Sequence, residues 1–566
     1  MPTLDVSELN VVIAILGSFT VVYGLVAVKI KRVWYLGEAL PALLIGIILG
    51  PIAAKFIDAE RWGSATPGQE DAITLGVMRV MIGIQLVIAG YQLPARYLQF
   101  RYKEILVCLI PIMTLMWLAT SVCVLATIPK VSLLATLVIG ACVTSTDPIL
   151  SQAVAKGPFA DKYVMRSLRE IISAEAGAND GFASPFLMLA VNLIRLSEDH
   201  EETLIDRNRG VGPQTSDVGI ALGNWVIETL IYIVFLASVY GTVCGYCAMI
   251  GVRFSLSRKW IDSENYLLFP SALGLFIVGT CGAIGTSDLL ACFVAGCALN
   301  WDGQFLAETK RRHDEVNSCI DVLLNFGGFM YIGTSLPWNE FHQPDTTGIT
   351  YPRLLGLGVL VLLFRRIPAL LITYKAMPAV VKSWKEAIFM GYFGPIGVGA
   401  VYYLQHTRLL FPKKADASPS ERQLLDALCP VVYFLVLFSI VVHGLSIPVL
   451  SALYGRYGVP LVTDDAVEIR RRSIYMPTPP NAFKGDRDTF IAYNRFFRPF
   501  ASLTMLPLAR TRYRVDYYSD SGSGSGSGGM TDLEEEQKRA PASPNLAPEQ
   551  CQESKYDVAP ACHIGS

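Results

Sequence analysis

The chain has 566 residues, and 47 Lys+Arg against 48 Asp+Glu leave a formal net charge of −1. The AVILMFWYC set makes up 52% and charged residues only 17%, below the roughly 25% charged of an ordinary globular chain. With a mean hydropathy of +0.42 that also averages over a polar C-terminal part, this composition excludes a soluble globular protein, a disordered chain and a nucleic-acid binder acting through bulk charge. What it leaves is a polytopic membrane protein.

A bilayer core about 30 Å thick needs roughly 20 apolar residues per helix, and about thirteen such stretches follow one another. They cover 10–29, 36–57, 73–92, 104–128, 131–154, 167–194, 220–251, 265–284, 286–300, 316–337, 350–375, 384–407 and 427–453. Met1 to Asn10 lacks the positive region of a cleavable signal peptide, so none is expected ahead of the first.

Lys and Arg gather in short cytoplasmic loops. Here Lys29, Lys31 and Arg32 follow the first stretch and Arg96, Arg101 and Lys103 the third. Lys156, Lys162, Arg166 and Arg169 follow the fifth, and Arg253, Arg258 and Lys259 the seventh. Lys310, Arg311 and Arg312 follow the ninth, and Lys375, Lys382 and Lys385 the eleventh. One loop breaks the alternation, with Arg408, Lys413, Lys414 and Arg422 on the other side. The frame predicts an external N-terminus and a cytoplasmic C-terminus.

Hydropathy collapses beyond about residue 462. Residues 1–455 therefore read as the membrane domain and 456–566 as a cytoplasmic, largely disordered tail. The tail opens on Arg470, Arg471 and Arg472, suited to anionic lipid, and runs through a Ser/Gly repeat at 519–529 into acidic and Pro-rich sequence. Such composition cannot bury enough apolar surface to fold. The twelve cysteines lie mostly inside spans and read as small core residues.

An ionisable side chain at a helix centre costs roughly 2.5–3.5 kcal/mol on the insertion scale, so those inside the stretches are functional candidates. Asp147 precedes Pro148, which pushes it out of the helical region and removes a donor. The fifth stretch should break there, and Gly394, Pro395, Gly397 and Gly399 interrupt the twelfth in the same way. Irregular backbone at that depth is tolerated only in a cavity or within protein. Two broken spans of opposite sense, one in each half, are the mark of an inverted-repeat secondary transporter.

In the sixth stretch Glu175 and Asn179 share a face, and Asp180 sits about 140° round from Glu175. The two carboxylates thus meet different neighbours. Pro185 frees the Gly181 carbonyl beside Asp180. A buried carboxyl group with oxygens nearby can alternate between a proton and a bare monovalent cation. Arg366 keeps its charge and needs an anion. Glu175 is the candidate partner, leaving Asp180 and Asp147 for transport; the alternative turns Arg365 inward and lets Arg366 snorkel. Asp288 reads as the N-cap of the ninth helix and otherwise as an accessory acidic residue. Asp321 is placed near the interface, and His443 reads as a bonded core histidine.

Thr146-Asp147-Pro148, Glu175-x3-Asn179-Asp180 and Arg366 together resemble the monovalent cation/proton antiporters over residues 1–455, and more narrowly the fungal plasma-membrane sodium/proton antiporters. The run Phe393 to Gly399 is most similar to the fungal members. The resemblance implies an all-α fold of about thirteen helices with a core and a dimerisation domain, a homodimer, and elevator-like movement. It makes Asp180 the carboxylate shared by proton and cation, with Asn179, Asp147 and Thr146 around it, and pairs Glu175 with Arg366. Asn179 in place of a second aspartate implies electroneutral exchange. Ala176 departs from the pattern, standing where some prokaryotic relatives offer a hydroxyl. The implied substrates are Na+ or Li+, with K+ a further candidate, exported from the cytoplasm against H+. No enzyme activity, resident cofactor or nucleic-acid partner is expected, and regulatory proteins would act on the tail. The alternatives are a K+/H+ exchanger of an internal membrane, a cation channel and an intramembrane aspartyl protease. The last lacks its Tyr-Asp and Gly-x-Gly-Asp contexts.

Overall fold

Only helices and closed barrels satisfy every backbone group in lipid, and helix covers part of every predicted stretch. The structure, a computed structural model, describes residues 8–32, 34, 36–57, 69–208, 218–312, 316–414 and 416–462, and three short strands beyond them. In chain order the helices are α1 (Glu8–Arg32), α2 (Ala39–Leu49), α3 (Gln69–Tyr91) and α4 (Tyr102–Thr127). The interrupted fifth stretch gives α5 (Leu133–Cys142) and α6 (Pro148–Lys156). Next come α7 (Arg166–Phe182), α8 (Ser184–Asn208), α9 (Leu222–Ser257), α10 (Ser263–Ile284), α11 (Asp288–Leu299), α12 (Gln304–Arg311) and α13 (Val316–Thr334). The chain ends its helical part with α14 (Tyr351–Phe364), α15 (Ile367–Thr373), α16 (Trp384–Tyr392), α17 (Val398–Leu410) and α18 (Pro419–Arg456).

Among the described residues seven helices are long and apolar enough to span a membrane. An eighth appears if α11 and α12, bent by 78°, count as one span. Several of the remaining segments are short because Pro or Gly divides them. Two divisions go beyond the sequence expectation. The sixth stretch is not one helix to residue 194: it turns at Ala183, two residues before Pro185, and α8 runs on to Asn208. The eleventh is also interrupted, at Arg365 and Arg366, because Pro368 follows and removes a helical donor. Within α4, Pro111 is absorbed by a π-helical turn, Cys108–Ile112, the usual accommodation of an extra residue in a helix.

α11 lies at the centre, packed between α3 and α9. Small residues allow this approach, as is usual between membrane helices. A Cβ on Gly90 of α3 would stand 2.5 Å from the Phe293 carbonyl oxygen, and one on Gly296 of α11 would overlap the Val87 carbonyl. At the periphery α1 exposes Ile13, Val21, Val22 and Leu25, and α9 exposes Ile227, Ile231, Phe235 and Val239. Cys244 and Cys247 of α9 share a C-x2-C spacing, but no group of three metal-binding side chains occurs among the described residues.

Two loop-charge readings change. Arg169 is not a loop cation: it is fully buried in α7 and pairs with Asp161 at 2.8 Å. In the exceptional loop, two of the four cations are paired: Arg408 meets Asp71 at 2.6 Å and Lys414 meets Asp426 at 3.0 Å.

The described residues all fall within one compact unit. Past α18 it carries β1 (Val467–Arg470), β2 (Ala482–Lys484) and β3 (Thr489–Ala492), antiparallel in the order β1-β3-β2. The rest of the expected tail, including the Ser/Gly repeat and everything from residue 493, lies outside the described residues.

Gly296→Val should strain the α3–α11 contact by about 1–3 kcal/mol through overpacking. Its melting temperature in detergent should fall, while Gly279→Val, with no atom within 4 Å of the added Cβ, should melt as wild type. Equal melting of both variants would contradict the packing.

Candidate functional site

A helix that stops inside the bilayer leaves orphan N–H groups at one end and orphan carbonyls at the other. Both interrupted segments do so here, and two side chains answer for both. Asp147, extended at φ −64°, ψ 121° ahead of Pro148, uses Oδ1 to accept from Ile149 N at 2.7 Å and Leu150 N at 2.9 Å, at the start of α6. Its Oδ2 accepts from Val398 N at 2.7 Å, at the start of α17. One carboxylate therefore sits on two positive helix ends. Gly397 permits this, because a Cβ there would overlap the Asp147 carboxylate. The Asp147 N–H also donates to the Pro395 carbonyl at 2.9 Å.

Arg365 does the converse. Its Nη1 donates to Gly394 O at 2.7 Å, and Nη2 donates to Thr144 O at 2.9 Å and Ser145 O at 2.7 Å. The guanidinium thus covers the carbonyls just beyond α16 and α5, where the dipoles end negative. Arg366 turns inward as well: its Nη2 donates to Glu175 Oε2 at 2.6 Å and its Nε to Met390 O at 3.1 Å. Both arginines are buried, so the alternative in which one snorkels is excluded.

α7 delivers the remaining groups. Asn179 locks onto the first break twice, accepting from Thr146 N at 3.1 Å and donating from Nδ2 to Thr146 Oγ1 at 2.8 Å. Asp180 is fully buried, and neither carboxyl oxygen has a hydrogen-bond partner among the described residues. A Cβ on Gly399 would stand 2.5 Å from Asp180 Oδ1 and 3.1 Å from Ser145 Oγ. The carboxyl group and the Ser145 hydroxyl therefore both lie against the start of α17, where only a glycine leaves them room. An ionised carboxylate without a charged partner in a buried site is costly. Tyr403 supports the turn, donating from its hydroxyl to the Asp180 main-chain carbonyl at 2.5 Å. The Gly181 carbonyl that Pro185 frees meets the Ser287 hydroxyl at 3.5 Å.

Asp288 does not cap the ninth helix. Ser287 is the N-cap, accepting from Leu290 N at 3.4 Å, and Asp288 is the first helical residue. Its Oδ2 binds Arg79 Nε at 2.6 Å, so its charge is spent on α3. Asp321, half-buried, accepts from Gln85 Nε2 at 2.9 Å. The sequence reading passed over Arg79, although a lone arginine within an apolar stretch is itself a signal. It also passed over Tyr403, which nothing in the pattern distinguishes.

Removing one partner of a buried ion pair leaves an uncompensated charge and costs about 3–5 kcal/mol. Glu175→Gln should therefore lower the melting temperature far more than Arg166→Gln, whose pair with Glu170 at 2.7 Å is half exposed on the arginine side. Unchanged melting of Glu175→Gln would contradict a structural role for the Glu175–Arg366 pair.

Residues 15–453 match the family described as sodium/hydrogen exchanger, transmembrane. The chain is 34% identical over 465 residues to Na(+)/H(+) antiporter 2 of Zygosaccharomyces rouxii, covering 80% of this chain and 54% of that protein. It is 34% identical over 460 residues to a Na(+)/H(+) antiporter of Saccharomyces cerevisiae, covering 79% and 44%, so it spans about half the length of these two relatives. A Na(+)/H(+) antiporter of Schizosaccharomyces pombe is 32% identical over 454 residues, covering 79% of this chain and 91% of the relative. In fold, the chain is similar to a sodium proton antiporter of Methanocaldococcus jannaschii, with a TM-score of 0.53 at 18% identity over 80% of this chain and 97% of the other. The chain belongs to the transmembrane sodium/hydrogen exchanger family.

Proposed function

We propose that the chain is a secondary antiporter that exchanges cytoplasmic Na+ or Li+, with K+ as a further candidate, for external H+. The observation that carries this reading is Asp180: fully buried, without a charged partner, and placed beside the Ser145 hydroxyl where two half-helices meet. A group in that position holds either a proton or a cation. Cation entry expels the proton, and proton return expels the cation. One charge for one charge leaves the site electrically unchanged, so the exchange is electroneutral.

Asp180 and the Ser145 hydroxyl supply ligand oxygens. Asp147 contributes less directly, since three backbone N–H groups occupy most of its roughly four acceptor positions. Asn179 with Thr146 keeps α7 in register with the break, and Glu175 with Arg366 is structural. The biological task is cation detoxification and pH and Na+ homeostasis at a plasma membrane, with the N-terminus outside and the C-terminus cytoplasmic. A homodimer is part of this reading, carried by the family resemblance.

The test is ΔpH dissipation in proteoliposomes on adding Na+, Li+ or K+. Na+ or Li+ should collapse the gradient with wild type, and Asp180→Asn should respond no more than protein-free vesicles while melting and eluting as wild type. Near-normal exchange by Asp180→Asn would overturn the mechanism. The K+ trace decides selectivity.

A further inference from the structure

α18 carries a titratable group that the exchange scheme leaves unused. His443 is buried, 7% exposed. Its Nε2 lies 2.9 Å from the Tyr392 carbonyl oxygen, and its Nδ1 lies 2.8 Å from the Ser439 carbonyl oxygen and 3.1 Å from the Ser439 hydroxyl. That hydroxyl accepts from Ile396 N at 2.7 Å. Tyr392 ends α16 and Ile396 lies in the extended stretch before α17. Ring and hydroxyl together therefore grip both sides of the second break.

Two proton states fit these same heavy-atom positions. In the neutral ring Nε2–H donates to the Tyr392 carbonyl, and Nδ1 accepts from the Ser439 hydroxyl. In the charged ring Nδ1–H donates instead to the Ser439 carbonyl, and the hydroxyl is released from the ring. A single acceptor or donor at Nδ1 would select one state, whereas here each state has its partner. The ring borders a crevice shared with Arg365 and Arg366, with Tyr392 as its other titratable neighbour; no carboxylate lines it among the described residues. Glu175 reaches the crevice only by way of Arg366. A second ring proton thus sets a third positive charge beside the arginine that holds Gly394, Thr144 and Ser145.

We propose that His443 is a positioning residue that ties the geometry of the 393–397 break to pH, its doubly protonated ring slowing exchange. The charged ring repels Arg365, loosening the carbonyls it holds, and so displaces Val398 from Asp147 and Gly399 from Asp180. The inference rests on the antiport reading above.

The experiment measures Na+-driven ΔpH dissipation in proteoliposomes from about pH 5 to 8, where an imidazole titrates. Na+ is held saturating, so that proton competition at Asp180, which acts on KM, is overcome. Wild type should slow on the acid side. His443→Gln, whose amide can still donate to Tyr392 O, should keep a flat maximal rate, within about threefold of wild type at the alkaline end. Ser439→Ala removes the donor that favours the neutral ring, so its slowing should begin at higher pH than in wild type. Superposable rate–pH curves for wild type and His443→Gln would overturn the proposal, as would a shift of Ser439→Ala to lower pH. If His443→Gln does not fold, 15N-histidine NMR of wild type decides: a His443 ring that titrates in this range supports the proposal, and one held in a single state overturns it. Absence of exchange by wild type at every pH would instead overturn the antiport reading, with the NMR titration still reporting on His443.

Discussion

An apolar phase offers no water to an unpaired peptide group, so every break in a membrane helix must be answered by protein. Two breaks here share their answers. Asp147 takes N–H groups from the starts of α6 and α17, and Arg365 takes carbonyls from beyond the ends of α5 and α16. Because each side chain bridges both segments, neither break can shift without the other. The two carboxyl groups of α7 are placed relative to that joint, so the proposed exchange depends on its staying intact.

The contrast between those carboxyls is instructive. Glu175 and Asp180 are five residues apart on one helix, both fully buried, yet they are treated oppositely. Glu175 meets the Arg366 guanidinium at 2.6 Å. Asp180 meets no cationic partner, and the one donor beside it is the Ser145 hydroxyl. The first arrangement fixes a charge permanently and ties α7 to the α14–α15 junction. The second leaves a buried carboxyl group without a charged partner, and it is this group on which the proposed exchange rests. Asp288 illustrates a third outcome: its pairing with Arg79 commits it to the packing of α3 against α11.

Much of the site was legible in the sequence because its physics is local. Asp-Pro and Gly-Pro interruptions announce themselves, and so does an Asn-Asp pair in an apolar run. The π-turn at Pro111 and the third break at Arg365 and Arg366 follow the same proline chemistry, but a proline near a helix end is also compatible with a simple first turn, so the pattern alone was ambiguous. What could not be read was long-range: that Asp147 would serve a second helix about 250 residues away, that Arg365 and Arg366 would both turn inward, and that Arg79 would claim Asp288. Arg169 was misplaced because loop-charge counting weighs a residue by its position along the chain and is blind to a buried partner such as Asp161.

The central claim is that one carboxyl group serves proton and cation in turn. Equilibrium binding of radioactive Na+ to the purified protein, measured over a range of pH, tests it without relying on transport. If Asp180 must lose a single proton to accept the ion, then below the pKa of that group the apparent Kd rises about tenfold for each unit by which pH falls. A Kd that stays constant while pH falls, in protein that remains folded, would contradict the account.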